Sequence, residues 1–108
     1  MPEIIGIATN VLTTDNFVPG GCLLFKVPTW MSKVMFWVQE LNVNAIEYTI
    51  VGSMDGVTYE EIVAANDVAK NGHEFTAAIE DPWVYLDFQI RANVGAAQGR
   101  VTVYAVGS

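Results

Sequence analysis

The sequence has little positive charge, cysteine or histidine. Its 108 residues include five lysines and arginines against twelve aspartates and glutamates, one cysteine and one histidine, with a formal net charge of −7. Because an acidic chain repels phosphate backbones, nucleic-acid binding is not expected. A single cysteine cannot form an internal disulfide. Cys22, beside Leu23, Leu24 and Phe25, is predicted to be a small buried side chain in a protein made in a reducing compartment.

Long apolar runs are also absent. The most apolar stretch, residues 23–38, is interrupted by Lys26, Pro28 and Lys33, and it is shorter than the roughly 20 residues that cross a bilayer. No membrane association is expected. The N-terminus, Met1-Pro2-Glu3, lacks the basic start of a secretory signal peptide, so synthesis in the cytoplasm without export is the expectation.

The residues that carry catalysis or bind metals are few. His73 follows Asn71-Gly72, a turn signal, so we expect it in solvent. Cys22 has no further histidine in the chain that could activate it as a nucleophile. One cysteine and one histidine cannot supply four ligands to zinc. Acidic loop residues converging on calcium remain an alternative to simple solubilising charge. The sequence therefore predicts a protein that is not an enzyme, with no catalytic residue, metal or cofactor.

What the chain does have is apolar side chains in short runs. Hydrophobic residues make up 52% and charged residues 16%, which is below the roughly 25% of ordinary domains, so a partner is expected to cover part of the apolar surface. Runs rich in Val, Ile, Thr and aromatics, separated by turn residues, predict strands. The candidate strands cover residues 22–27, 33–39, 44–53, 58–64, a short segment within 68–79, 83–92 and 101–106.

Seven or eight such strands in one domain, residues 1–108, favour an all-β antiparallel two-sheet sandwich, for which jelly-roll order is one arrangement. Residues 1–20 form either a first strand or an arm on a neighbouring subunit. Residues 64–70 form either extended chain or one helical turn. The Ser53-Met54-Asp55-Gly56 stretch predicts a hairpin turn, because Asp hydrogen-bonds its own backbone and Gly accepts positive φ.

Alternation along two strands predicts the core and a contact surface. In residues 83–92, Val84, Leu86, Phe88 and Ile90 face the core, and Trp83, Tyr85, Asp87, Gln89 and Arg91 form a polar face with the composition of a contact surface. Arg91 is expected to pair with Asp87 or another carboxylate. In residues 33–39 both faces are apolar, which indicates a central or interfacial strand. The candidate interface residues are Trp30, Met31, Met35, Trp37, Trp83 and Tyr85.

Residues 46–107 carry a resemblance to known proteins. A Gly52-Ser53-x-Asp55-Gly56-x-x-Tyr59 hairpin is followed by a strand with Tyr85 and Gln89-Ile90-Arg91, and then by residues 101–106. This order resembles small β-sandwich virion proteins of tailed bacteriophages, including capsid decoration, head-fibre and tail accessory modules. The same hairpin is common in discoidin-like carbohydrate-binding domains, but this chain is shorter than those modules and lacks their cysteine pair. The N-terminal third is unmatched.

The resemblance implies a non-enzymatic structural protein that decorates and stabilises a phage capsid by protein contacts. Its implied partners are the major capsid protein or another virion protein, and further copies of itself, with a trimer favoured. Its implied location is the virion, after synthesis in the host cytoplasm. The alternative is a carbohydrate-binding module of tail or adhesion type, in which aromatic side chains stack on sugar rings.

Overall fold

The computed structural model describes residues 3–11, 17, 19–20, 22–42, 46–68, 72–92 and 99–108. In this part of the chain there are eight strands and no helix, so the all-β prediction is confirmed. The strands are β1 (Glu3–Val11), β2 (Leu23–Lys26), β3 (Val34–Asn42), β4 (Ile46–Ser53), β5 (Glu60–Val68), β6 (His73–Phe75), β7 (Tyr85–Ala92) and β8 (Gly99–Gly107).

The strands form two antiparallel four-stranded sheets, with the orders β1-β8-β3-β6 and β2-β7-β4-β5. The two-sheet sandwich predicted from the sequence is therefore confirmed. Among the pairings of these strands, β4 with β5 is the one hairpin between consecutive strands, and the chain otherwise passes from one sheet to the other between successive strands. Most pairings thus join segments that are far apart in sequence.

The structure decides between the alternatives left open at two places. Residues 3–11 are strand β1, paired with β8. Residues 64–68 belong to β5, where Val68 pairs with Ile46, so the helical-turn alternative is wrong for them because the ladder to β4 fixes an extended backbone. Asn71 lies outside the described residues. After β6 the chain continues beside β3, where Val34 and Ile79 exchange two backbone hydrogen bonds of 2.8 and 3.0 Å.

The core lies between the inner faces of the two sheets. Phe36 of β3 meets Phe88 of β7 at 5.0 Å between ring centroids, and Tyr48 of β4 stacks on Phe88 at 5.2 Å. Both phenylalanine rings are fully buried. This confirms the inward set predicted for β7, and it shows which of the two apolar faces of β3 lies in the core. The other buried apolar residues are Val34, Val38, Ile46, Ile50, Ile79, Leu86, Ile90, Val101, Val103 and Ala105.

The β4–β5 hairpin explains the Ser-x-Asp-Gly motif. The Asp55 Oδ1 atom accepts hydrogen bonds from the backbone N–H groups of Val57 and Thr58, both at 2.8 Å, and from the Ser53 hydroxyl at 3.0 Å. The Ser53 hydroxyl in turn accepts from the Gly56 N–H, and Gly56 has a φ of 78°, which favours glycine. The backbone N–H groups of Thr58 and Val57 and the Ser53 hydroxyl lower the pKa of Asp55 to about 2.

Gly52, the first residue of the motif, makes room for Trp83. A Cβ atom at position 52 would lie 2.6 Å from both the Ile62 Cδ1 and the Trp83 Cδ2 atoms. Trp83 and Ile62 are partly buried and pack against the core. The glycine therefore allows the Trp83 ring to cover one end of the core.

Gly52→Ala is expected to destabilise the protein by about 1–3 kcal/mol, because the added methyl group overpacks the site and displaces Trp83 or Ile62. The matched control is Gly6→Ala, whose Cβ would make ordinary contacts with Leu23 at 3.4 Å. Urea unfolding followed by tryptophan fluorescence measures both. Equal stabilities for the two variants would contradict this account of Gly52.

Asp55→Ala is expected to lower the unfolding midpoint, with a difference from wild type that depends on pH. Since the folded pKa of about 2 lies below the ordinary 3.8, ionised Asp55 stabilises the fold above pH 3.8 and loses this effect as pH falls through 2. In thermal melts between these pH values, the unfolding midpoints of Asp55→Ala and wild type should converge as the pH falls. Asp55→Asn, which keeps an acceptor oxygen, should lose less at neutral pH. A constant difference down to pH 2 would contradict the assignment.

Candidate interaction surface

An apolar row crosses the outer face of the β1-β8-β3-β6 sheet. The register places Ile7 of β1 opposite Tyr104 of β8, Tyr104 opposite Trp37 of β3, and Trp37 opposite Phe75 of β6. Directly opposed residues point to the same face of a sheet. The row therefore contains one large apolar or aromatic side chain from each strand, on the side away from the core.

Trp37 is the centre of this row. Its ring lies 5.4 Å from Tyr104, 6.5 Å from Phe75 and 5.8 Å from His73, measured between centroids. Phe75 and Ile7 remain 60% and 56% exposed, whereas Trp37 and Tyr104 are partly buried by their neighbours. The side chains of this row thus pack against one another, while Ile7 and Phe75 stay open to a partner.

Two further rows flank the aromatic one. On one side Ile4, Val106 and Met35 are opposed across β1, β8 and β3, and Ile4 is 59% exposed. We call these residues and the aromatic row the outer apolar face, which consists of Ile4, Ile7, Met35, Trp37, Phe75, Tyr104 and Val106.

On its other side lies a polar row in which Thr9, Thr102, Gln39 and His73 are opposed in turn. The Thr9 and Thr102 hydroxyls are 3.2 Å apart and share a hydrogen bond. Hydroxyl, amide and imidazole groups thus border the apolar side chains along one edge.

The outer apolar face and its polar row contain no Asp, Glu, Lys or Arg. Exposed acidic residues occur at the start of β1, in the β4–β5 hairpin, on β5 and in the β6–β7 connection, at Glu3, Asp55, Glu60, Glu61, Glu80 and Asp81. The residues that form the outer apolar face thus carry no charge that a partner would have to desolvate, and charge desolvation is a main cost of burying a surface. At one edge of this face, Lys33 lines an open groove together with Met35 and Val106. This is the composition of the centre of a protein interface, where charged residues are depleted and aromatics enriched.

The outer face of β7 was expected to be a contact surface, and this is wrong for Asp87 and Gln89. They are 2% and 8% exposed. Gly20 donates its N–H to the Asp87 Oδ2 atom at 3.0 Å, and Gln89 donates to the same oxygen at 2.7 Å. Next to them, the Arg91 guanidinium lies 4.3 Å from the Phe17 ring centroid.

Arg91 pairs with Glu47 of the neighbouring β4, at 3.2 Å between Nη2 and Oε2, and not with Asp87. The sequence allowed either partner. The register decides, since Glu47 and Arg91 stand directly opposite each other.

The six candidate interface residues fall in separate places. Met35 and Trp37 are on the outer apolar face. Met31 and Trp83 line one open groove of about 210 Å³, which also includes Lys26, Val27, Pro28, Thr29, Pro82 and Val84. Trp30 lies in the β2–β3 connection and is 60% exposed. The Tyr85 ring packs beneath Gly56 of the hairpin.

The described part of the chain contains neither a metal-binding cluster nor a membrane-spanning helix. No three His, Cys, Asp or Glu side chains converge there in a way that would hold a metal ion. The described residues also contain no helix that is long and apolar enough to span a membrane.

No protein-family model matches the chain, and no curated protein sequence does. Solved structures do share its fold. PBSX exported protein XepA superposes with a TM-score of 0.72 at 18% identity, covering all of this chain but 37% of that one. The Yersinia pseudotuberculosis-derived mitogen superposes with a TM-score of 0.67 at 17% identity, covering 97% of this chain and 86% of the mitogen.

A third structure with this fold is the SPBc2 prophage-derived protein YomS, with a TM-score of 0.56 at 10% identity, covering 99% of this chain and 94% of that one. This chain spans little more than a third of XepA and nearly the whole of YomS and the mitogen. The fold is thus one that occurs in phage-associated proteins and in a bacterial mitogen. At these identities the comparisons establish the fold alone.

Sequence reasoning found Met35 and Trp37 but missed Ile7, Phe75 and Tyr104. Phe75 lies in a strand of three residues, too short to show alternation. Tyr104 alternates with buried Val103 and Ala105 but was assigned to no interface. The signal available in the sequence was a large apolar residue on the outward side of several strands, and only the register shows that these residues form one row.

Trp37→Ala is expected to reduce stability by about 1–2 kcal/mol, because it removes partly exposed ring contacts on the outer face. Its neighbour Phe36 is fully buried in the core, so Phe36→Ala should cost about 3–5 kcal/mol. Chemical unfolding of both variants measures the difference. A Trp37→Ala loss as large as that of Phe36→Ala would place Trp37 in the core and remove it from the candidate surface.

Proposed function

We propose that this chain is a non-enzymatic structural or accessory protein of a phage particle, which binds another virion protein through the outer apolar face. The observation that carries the proposal is that four adjacent strands align Ile7, Tyr104, Trp37 and Phe75 in one uncharged row on the solvent-facing side of the sheet. Decoration and stabilisation of a capsid is the specific role we propose, with the major capsid protein as the favoured partner.

The fold supports this proposal. We interpret the strand orders β1-β8-β3-β6 and β2-β7-β4-β5 as a jelly roll, an architecture that viral capsid domains and lectins use. Two of the structures with this fold are named as prophage-derived YomS and PBSX exported protein XepA. The proposed location is therefore the virion, after assembly from protein made in the host cytoplasm.

The chemistry of the surface supports binding by contact. Aromatic anchors surrounded by uncharged side chains dominate the energetics of many protein interfaces. Phe75, 60% exposed beside the partly buried Trp37, has the geometry of such an anchor. The exposed acidic side chains, most of which lie away from this face, keep the unassembled protein soluble.

Carbohydrate binding is the alternative, and the polar row of Thr9, Thr102, Gln39 and His73 beside the aromatic rings favours it. The ring angles favour the protein partner instead. Trp37 is inclined by 53° to Phe75 and by 58° to Tyr104, so the rings do not form the flat platform that successive sugar rings would stack on. Trp83, a second tryptophan that could stack on a sugar, packs against the core at Gly52.

The test begins with particles purified from a lysate of the phage that encodes this chain, in which mass spectrometry should find the protein. Recombinant protein is then mixed with particles that lack it and sedimented. Phe75→Lys should weaken co-sedimentation at least about tenfold, because it places a charge in the centre of the interface.

The matched control is Val57→Lys, at an 83% exposed apolar position of the β4–β5 hairpin, which should bind as wild type does. Absence of the protein from purified particles, or equal binding by wild type and Phe75→Lys, would overturn the proposal. Glycan binding that Phe75→Lys or Trp37→Ala removes would establish the carbohydrate alternative.

A further inference from the structure

The two sheets have four edge strands, β1 and β6 in one and β2 and β5 in the other. An edge strand presents unpaired backbone N–H and C=O groups, and proteins usually protect such edges by short length, charge or proline. Three of the edges are protected in this way. β6 has three residues, β2 has four and ends at Lys26, and β5 carries Glu60, Glu61 and Asp67.

β1 lacks these protections. It has nine residues, without proline or a basic side chain, and its single charge is Glu3 at its first position. Its one irregularity lies between Ile4 and Gly6, and residues 6–11 pair regularly with β8. On its other side β1 has no strand neighbour among the described residues. Its outward side chains Ile4 and Ile7 are more than half exposed.

We infer that two copies of this chain pair through their β1 edges in an antiparallel, two-fold symmetric manner. The two four-stranded sheets then become one continuous sheet of eight strands. A two-fold contact uses the same surface on both copies, so one unprotected edge is sufficient.

Charge favours this edge over the others. Each copy carries a net charge of −7, and antiparallel pairing through β5 would set the start of one strand, with Glu61, against the end of the other, with Asp67. Antiparallel pairing of β1 sets the start of one strand against the end of the other, which keeps the two copies of Glu3 apart. Opposite each Glu3 the partner presents the uncharged end of β1, near Val11.

The pairing also extends the outer apolar face. With strands about 4.8 Å apart and alternate residues about 6.8 Å apart, this face and its polar row cover about 400 Å² in one copy. A standard-size interface buries about 800 Å² on each partner, which the joined faces of two copies match. The use of the joined face rests on the proposed virion role, whereas the dimer itself does not.

Light scattering after size exclusion, over a wide range of concentration, tests the inference on the full chain. Wild type should elute as a dimer. Ile7→Lys should raise the dimer dissociation constant at least about tenfold, since the lysines of the two copies would lie close together across the paired edge. Phe75→Lys is the matched control, because it puts the same charge at the opposite end of the same row, on β6. It should remain a dimer while losing particle binding.

A second measurement covers the case in which Ile7→Lys does not fold. Amide hydrogen exchange in β1 should slow as the wild-type concentration rises, with no comparable change in β6. Ile4→Lys, at another exposed position of β1, should also dissociate the dimer.

A wild-type monomer at all concentrations, the trimer that the family resemblance implies, or a dimer that neither Ile7→Lys nor Ile4→Lys weakens would each overturn the inference. A variant that loses particle binding but remains a dimer bears on the proposed function alone. A variant that loses the dimer but still binds particles bears on this inference alone.

Discussion

The contact of Phe36 with Phe88 across the two sheets is the interaction on which the rest of the structure depends. The two rings meet at 5.0 Å with no exposed surface, and Tyr48 stacks on Phe88 from the same sheet. Because almost every ladder joins distant segments, little holds the sheets together locally, and burial of their inner faces is the main source of stability. Once these residues face inward, alternation fixes which side chains face outward.

The outer faces of the two sheets differ in how far the chain itself covers them. On the β2-β7-β4-β5 sheet the chain covers part of its own surface, since Gly20 and Phe17 lie against Asp87 and Arg91. On the β1-β8-β3-β6 sheet the described residues leave Ile7 and Phe75 open at the two ends of an aromatic row. The low charge of the sequence has its structural counterpart here, in rows of opposed side chains that are all uncharged.

The hairpin motif, on which the resemblance to virion and discoidin-like proteins rests, has a structural explanation at nearly every position. Gly52 makes room for Trp83, while Ser53, Asp55 and Gly56 close the hairpin by hydrogen bonds and positive φ. None of these residues lies on the outer apolar face. Such a motif identifies a way of turning between β4 and β5, and it is therefore shared by proteins with different partners, as the fold itself is.

The sequence by itself determined the strand class, the two-sheet sandwich, the inward set of β7 and the hairpin turn, because each depends on local alternation or turn chemistry. It also put Met35 and Trp37 together on one face of β3, but it did not decide which face of that strand lies in the core. Only the tertiary structure decided that Arg91 meets Glu47, that the outer face of β7 is covered, and that Trp37 stands between Tyr104 and Phe75. The physical reason is that a strand's own residues determine its two faces, whereas its neighbours and register depend on long-range pairing.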